Sequence, residues 1–397
     1  LNRTISDEYE SVDRYYKKEF RKKRRNRLHI SLDIPSGLSS DTTEIIGKHM
    51  FADITISFTS PKVGNVMPPA SGFNGELIIA NIGSPQGLID EQPSQLYLAE
   101  EIDTTKWLAK SGFSDDSYKN KRGHCLVIAG SESFSGAAVL VGDAAMRSGA
   151  GLVTVVTPRS SKDSIAVRVL PEVMVRGVAE TDNGAIAEEA FEEIKDLREK
   201  ADAVAIGSGL SQSESTRRFV RKVVEERKTP VVIDADALNL LSPWATDSAA
   251  GESRAFRSPM ILTPHEGEFM RLLGTDDKET IKDRVAAVRE FSQRHGVILV
   301  LKGERVLIGE PGGKVVVNPT GNSGLGKAGN GDTLTGIVAG FVTQAAAMQI
   351  DIFETVVAAV YVAGMAGDVA EKKYGKRVMT ASDVRECLVE VFEDLSK

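Results

Sequence analysis

Gly321-Asn322-Ser323-Gly324-Leu325-Gly326-Lys327-Ala328-Gly329-Asn330-Gly331-Asp332-Thr333-Leu334-Thr335-Gly336-Ile337-Val338-Ala339-Gly340 is the stretch on which the reading of the chain turns. Its first half is too rich in glycine to hold a regular element. Its second half, with the residue that follows it, sets Leu334, Ile337, Val338 and Phe341 at helical spacing. Together they predict a glycine loop feeding a helix that begins near Asp332. Glycines let several backbone N–H groups converge on one point, and a helix start adds about half a positive charge there. Such a seat suits an anion, phosphate above all. Asp332 inside it has two readings: a helix N-cap, or a general base beside a bound phosphate.

Upstream of this stretch, strands and helices alternate. Gly123–Ser131 reads as a buried strand and turn, Gly136–Ala145 as a close-packing helix of small residues, and Gly151–Thr157 as the next strand. Strands follow at Ala203–Gly207, Pro230–Ala235, Met260–Thr263 and Val297–Lys302, with helices at Arg217–Lys228 and Lys282–His295. The alternation predicts a doubly wound α/β domain with a mainly parallel sheet. Ligands of such sheets sit at the carboxyl ends of the strands. Those ends carry Gly207-Ser208-Gly209, Asp234-Ala235-Asp236-Ala237-Leu238-Asn239, Thr263-Pro264-His265-Glu266-Gly267-Glu268-Phe269 and Lys302-Gly303-Glu304. Lys302 leaves a buried strand and reads as a phosphate contact or as an ordinary strand-end lysine. His265 reads as a ligand contact or as a plain loop histidine. Asp234 and Asp236 read as carboxylates that steer Mg²⁺ or as caps of the following helix. There is no Gly-x-x-x-x-Gly-Lys-[Ser/Thr] pattern, and no Gly-x-Gly-x-x-Gly after the first strand of this domain. Nucleotide binding therefore falls to the C-terminal anion seat.

The front of the chain reads differently. Lys17, Lys18, Arg21, Lys22, Lys23, Arg24, Arg25 and Arg27 crowd together there. They read as an RNA or anionic-lipid patch, or as a solvated helix face diluted by Glu8, Glu10, Asp13 and Glu19. Short strands are expected within His29–Leu38, Asp53–Phe58 and Gly75–Gly83, too few for an independent α/β domain. The expected organisation is a partial Rossmann-like module over 1–90, a linker over 91–120 with a helix around Gln95–Lys110, and the main domain over 121–397. The chain opens on Leu1 rather than Met, as a fragment or a processed product would.

At 397 residues with 41% hydrophobic and 26% charged residues, the composition is that of an ordinary globular protein. A net charge of -7 argues against nucleic acid as a general partner. Cys125 and Cys387 fit a reducing compartment, and a cytoplasmic location is expected. The histidines show no metal-ligand spacing, no apolar run reads as a membrane span and no signal-peptide core follows the start. No protein-held metal site and no membrane partner are expected, whereas a homo-oligomer is.

Taken together, Asn318-Pro319-Thr320-Gly321-Asn322, the Gly329–Asp332 turn, Thr263-Pro264-His265, Asp234–Asn239 and Leu301-Lys302-Gly303 resemble the ADP/ATP-dependent NAD(P)H-hydrate dehydratases. The resemblance runs in the same order over roughly residues 100–395. Asp33-Ile34-Pro35-Ser36-Gly37-Leu38 and Pro61-Lys62-Val63-Gly64 resemble NAD(P)H-hydrate epimerase, which is often fused in front. The resemblance implies a ribokinase-like fold and a repair reaction. The hydroxyl on a hydrated nicotinamide ring is phosphorylated from ADP or ATP with Mg²⁺, and phosphate is then eliminated to restore NADH or NADPH. By the same resemblance Asp332 takes the hydroxyl proton and contacts substrate. Lys302, Gly303, Glu304, Arg305, Val306, Gly329, Asn330 and Gly331 hold the nucleotide, and Ala137, Gly209 and His265 line the hydrate pocket. In front, Asp33 matches a substrate contact and Ser36 a potassium ligand.

Asn330, Glu266 and Val306 stand where the family usually has Thr or Ser, Pro, and Thr or Asp. The epimerase's substrate loop and earlier strands have no counterpart in this sequence, which reads as a structural remnant or as a sequence that lacks its start, and loss of that activity is the expectation for the chain as it stands. ADP is the expected donor, because the fused arrangement resembles bacterial and archaeal members. The alternative is a ribokinase-like kinase of a vitamin or sugar, which shares the base and the anion seat but leaves a stable phosphorylated product. The His265 and Asn318–Asn322 stretches favour the dehydratase.

Overall fold

Two compact units, Leu1–Pro93 and Ser94–Lys397, divide the chain. The structure, a computed structural model, describes residues 27–92, 94–115, 117–244 and 258–397. The basic stretch from Lys17 to Arg25 lies outside the described residues. In the first unit β1 (Ile30–Leu32), β2 (Ile54–Phe58) and β3 (Glu76–Ala80) pair in parallel in that order. Among its described residues Leu38, Phe51, Ala70 and Phe73 form a buried apolar cluster, with the two phenyl rings 4.7 Å apart.

The second unit begins inside the stretch expected to be a linker. β4 (Leu96–Leu98) pairs with a late strand of the large sheet, and α1 (Glu101–Lys110) follows it. Of the helix expected around Gln95–Lys110, Glu101–Lys110 is helical, whereas Leu96–Leu98 is strand. Trp107 ties α1 down. Its indole N–H donates to Thr355 Oγ1 at 2.8 Å, and its ring stacks on Phe341 at 4.3 Å.

Then come β5 (His124–Ile128), α2 (Ser135–Arg147), β6 (Leu152–Pro158), β7 (Met174–Val178), β8 (Ala203–Ile206), α3 (Glu214–Glu225), β9 (Val231–Ile233), α4 (Ala235–Leu241), β10 (Met260–Leu262), α5 (Glu266–Leu273) and α6 (Arg284–His295). The sheet is completed by β11 (Ile298–Leu301), β12 (Val306–Gly309) and β13 (Val315–Asn318). The long helices α7 (Asn330–Met348) and α8 (Ile352–Tyr374) then lead to α9 (Ala381–Glu386) and α10 (Leu388–Leu395). The ten strands lie in the order β4-β13-β12-β11-β10-β9-β8-β5-β6-β7. Neighbours are parallel except at β11/β12 and β12/β13. Every residue of β8, β9, β11 and β13 is buried, as expected for strands covered on both faces.

Strand order reverses at β5, which has β6 on one side and β8 on the other. A doubly wound sheet opens its ligand crevice at such a point. Helix α7 crosses there against α2, and small residues make the approach possible. A Cβ on Gly336 would run into the Val141 carbonyl and Ala144, and one on Gly340 would meet the Ala145 carbonyl. Behind α7 lies α8, whose 23 residues are long and apolar enough to cross a membrane by length and composition. No such run was read from the sequence. Of its most apolar window, 72% is buried inside the protein, so this is a core helix by packing.

Candidate active site

Gly329 sets the start of α7. It is the N-cap, at φ 88, and a Cβ there would meet Leu140 Cδ1 at 2.8 Å and Ala381 Cβ at 3.0 Å. Asp332 is thus the third residue of the helix and not its cap, which removes one of the two readings of the sequence. In the first turn the Asn330 N–H goes to Lys327 O and the Thr333 N–H to Gly329 O. The amides of Gly331 and Asp332 fall where a helix has no carbonyl of its own to offer. The lysine of the glycine loop is committed elsewhere. Lys327 Nζ donates to the carbonyls of Arg377 and Met379 at 2.6 and 3.0 Å. The loop before it is pinned to α8: Gly321 N–H and Asn322 Nδ2 donate to the Asp368 carboxylate, and Thr320 Oγ1 donates to Tyr361 O. Gly329→Ala is expected to cost about 1–2 kcal/mol from the left-handed backbone alone, before the clash with Leu140. It should also displace Asp332, so thermal unfolding and turnover should both register the change.

A buried ionic cluster stands beside that helix start. Asp234, 1% exposed, has the N-cap place of α4, yet its side chain makes no capping bond. Its Oδ1 accepts from Lys302 Nζ and Thr263 Oγ1, each at 2.8 Å. Its Oδ2 accepts from Thr335 Oγ1 at 2.8 Å. Lys302 is also 3.8 Å from Glu268 Oε2. A Cβ built on Gly331 would lie 3.6 Å from Lys302 Nζ and 3.9 Å from Asp234 Oδ2, which puts the anion seat against this cluster. Burial works against the Lys302 charge, but Asp234, Glu268 and Asp332 outweigh it and hold its pKa above the ordinary lysine value. Asp332 goes the other way for a carboxylate. Desolvation chiefly, with repulsion from Asp234 and Asp236, raises its pKa from 3.8 to about 6 against the pull of the Ser208 hydroxyl and Lys302. A carboxylate poised near neutrality beside an anion seat is suited to taking a proton.

Asp236, the other candidate for Mg²⁺, is occupied as well. It accepts from the Ser211 N–H at 2.9 Å and Gln212 Nε2 at 3.0 Å, holding the loop after β8. In that loop Gly209, at φ 66, comes within 3.0 Å of Ala137 Cβ and 2.8 Å of Phe134 Cβ when given a Cβ. Two of the expected substrate contacts, Ala137 and Gly209, are therefore adjacent. His265 caps α5: its Nδ1 accepts the Glu268 N–H while Glu268 Oε2 accepts the His265 N–H. Nδ1 is the acceptor, so a neutral ring carries its proton on Nε2, and the side chain remains 54% exposed. Lys302, Gly303, Glu304 and Arg305 form the turn between β11 and β12. Gly303 lies against the Arg284 guanidinium, and Arg305 Nη1 donates to Pro319 O at 2.6 Å.

Sequence reasoning missed the roles of Thr335, Glu268, Ser208 and Arg284. Thr335 lay in the quoted stretch, one turn beyond Asp332, and that i,i+3 spacing was the available signal. Nothing local in the sequence marked Arg284. In the first unit Asp33, at φ 66, pairs with Lys62 at 2.6 Å, and Lys62 also donates to Phe58 O and Ser60 O. Ser36 is exposed at the neighbouring turn.

The sheet order, the crevice and the aspartate at a glycine-led helix start define a ribokinase-like protein. A family profile described as NAD(P)H-hydrate dehydratase matches residues 125–389, and the chain belongs to that family. A second profile, described as YjeF-related protein N-terminus, matches residues 1–64. The bifunctional NAD(P)H-hydrate repair enzyme Nnr of Moorella thermoacetica is 35% identical over 379 residues, covering 94% of this chain and 68% of the relative. Its counterpart in Thermofilum pendens is 33% identical, covering 89% and 64%. The chain thus spans about two thirds of the length of these relatives. Among solved structures, the ADP/ATP-dependent NAD(P)H-hydrate dehydratase of Bacillus subtilis, co-crystallised with ATP/Mg²⁺, is 31% identical with a TM-score of 0.63, covering 75% of this chain and 98% of that one. A ribokinase-like superfamily protein of Enterococcus faecalis is 25% identical with a TM-score of 0.61, covering 77% and 98%. These likenesses support the carbon–oxygen lyase reading over a vitamin or sugar kinase.

Proposed function

We propose that the C-terminal unit is an ADP-dependent dehydratase that restores NADH and NADPH from their hydrates. One observation carries the reading: Asp332, with its raised proton affinity, stands in the first turn of a helix whose free amides and neighbouring Lys302 suit a phosphate. The nucleotide lies along Lys302, Gly303, Glu304, Arg305 and Val306, with its transferring phosphate over Gly329, Asn330 and Gly331. Ala137, Gly209 and His265 hold the hydrate with its ring hydroxyl toward Asp332. The hydroxyl oxygen bonds to the terminal phosphorus as Asp332 takes its proton. The bond to the leaving phosphate oxygen breaks, releasing AMP from ADP, or ADP from ATP. Amides at the helix start stabilise charge on the moving phosphoryl group. Phosphate then leaves with the C–O electron pair, a proton departs from the adjacent ring carbon, and the ring double bond returns.

Among the described residues no group of three or more His, Cys, Asp or Glu side chains is placed to hold a metal ion. Asp234 and Asp236 are held by protein donors. These residues fit a Mg²⁺ ion that arrives on the nucleotide phosphates and keeps most of its waters. A potassium ion at Ser36 and a cytoplasmic location rest on the resemblance to the fused repair enzymes.

The test follows two products together. Protein, hydrated NADPH, Mg²⁺ and either ADP or ATP are mixed, and restored reduced-nicotinamide absorbance is measured alongside inorganic phosphate. The dehydratase reading expects equal amounts of both, faster with ADP. A phosphorylated product that accumulates without free phosphate would establish the kinase instead.

A further inference from the structure

Asp234 makes no direct contact in the reaction just described, yet it is the most heavily engaged carboxylate near it. Its three partners come from three elements: Thr263 from the end of β10, Lys302 from the end of β11, and Thr335 from α7. Thr335 is one helical turn beyond Asp332, so a bond to its hydroxyl fixes the rotation of α7 where Asp332 projects. Lys302 is the other group whose place matters, and it has four carbons of freedom unless held. The backbone around Asp234 is itself constrained. Ala235 follows it at φ 49, a region that residues with a Cβ rarely adopt. Gly207 passes so close to the Asp234 carbonyl that a Cβ could not be accommodated.

We propose that Asp234 is a positioning residue: its buried carboxylate staples Lys302 and, through Thr335, the Asp332-bearing turn of α7 to the carboxyl ends of β10 and β11. This rests on the reading of Asp332 as the base. The staple carries a second consequence through its charge. The groups facing Asp332 are Asp234 and Asp236, both negative, Lys302, positive, and the Ser208 hydroxyl. Neutralising Asp234 removes a repelling charge and frees Lys302 from its counter-ion. Both changes favour the ionised form of Asp332.

The experiment compares Asp234→Asn, Thr335→Val and Asp332→Asn in the full chain, reading kcat/KM for hydrated NADPH against pH. Asp234→Asn should lower the rate at neutral pH at least tenfold and move the acid limb of the profile down by about 0.5–1 pH unit. Thr335→Val keeps the charge but cuts the tether, so it should lower kcat with the acid limb in place. A folded Asp234→Asn protein with the wild-type acid limb and rate overturns the proposal. If Asp234→Asn fails to fold, Thr335→Val decides, and a wild-type kcat for it overturns the proposal equally. Full turnover in Asp332→Asn would instead sink the assignment of the base, which keeps the two failures apart.

Discussion

Asp332→Asn should lower turnover by about 10²–10⁴-fold, the usual worth of a positioned base, while ADP stays bound. The amide has nearly the same shape and leaves the helix start intact, but it cannot accept the hydroxyl proton. The same substitution should stabilise the fold at neutral pH. The Asp332 pKa rises from 3.8 to about 6 on folding. A raised carboxylate binds its proton more tightly in the native state, so its contribution is most favourable below the unfolded value and is lost as pH climbs through about 6. Asparagine does not titrate. The variant's advantage should therefore be present above pH 6, shrink between 6 and 4, and vanish below. For a carboxylate still partly open to solvent the gain is about 2 kcal/mol. Denaturant midpoints at neutral and acid pH measure it. For wild-type enzyme the same shift predicts that kcat/KM falls below about pH 6 with unit slope.

Lys302→Met should have the largest cost in stability, about 3 kcal/mol. The lysine side chain is 20% exposed and that of Asp234 only 2%, so its removal leaves a buried carboxylate without its cation, with Glu268 close by. Breaking one half of such a pair costs more than the pair contributes. Nucleotide affinity should fall in the same variant, because the positive charge nearest Gly331 is gone. Adding Asp234→Asn to Lys302→Met should recover part of the lost stability, since the stranded charge disappears. If the two losses simply add, the two side chains do not act as a pair.

Much of this was legible in the sequence because it was written in local pattern. The helix behind Asp332 was readable from glycines followed by apolar spacing, and it runs over Asn330–Met348. The parallel strands were readable because burial on both faces leaves unbroken apolar runs such as Val231–Ile233 and Ile298–Leu301. Other elements were not legible for physical reasons. Leu96–Leu98 is three residues long, and only its pairing with β13 makes it a strand. Met174–Val178 is an edge strand with mixed exposure. The β12–β13 hairpin did carry a signal, Pro311-Gly312-Gly313 between two apolar runs, and was missed.

At the site, residues sharing a turn could be grouped by eye, but partners far apart in sequence could not. Asp234 and Thr335 are 101 positions apart, and Asp234 and Lys302 are 68. Nothing local says that one carboxylate holds both. Whether Asp234 was a cap or a metal ligand was likewise undecidable from the sequence, and the structure presents a third arrangement, a carboxylate held by a lysine and two threonines.

The most direct test of the account is recovery of reduced-nicotinamide absorbance from hydrated NADH by the purified chain with Mg²⁺ and ADP. Recovery should require the nucleotide and be lost in Asp332→Asn. No recovery with either ADP or ATP, from folded protein that still binds ADP, would contradict it.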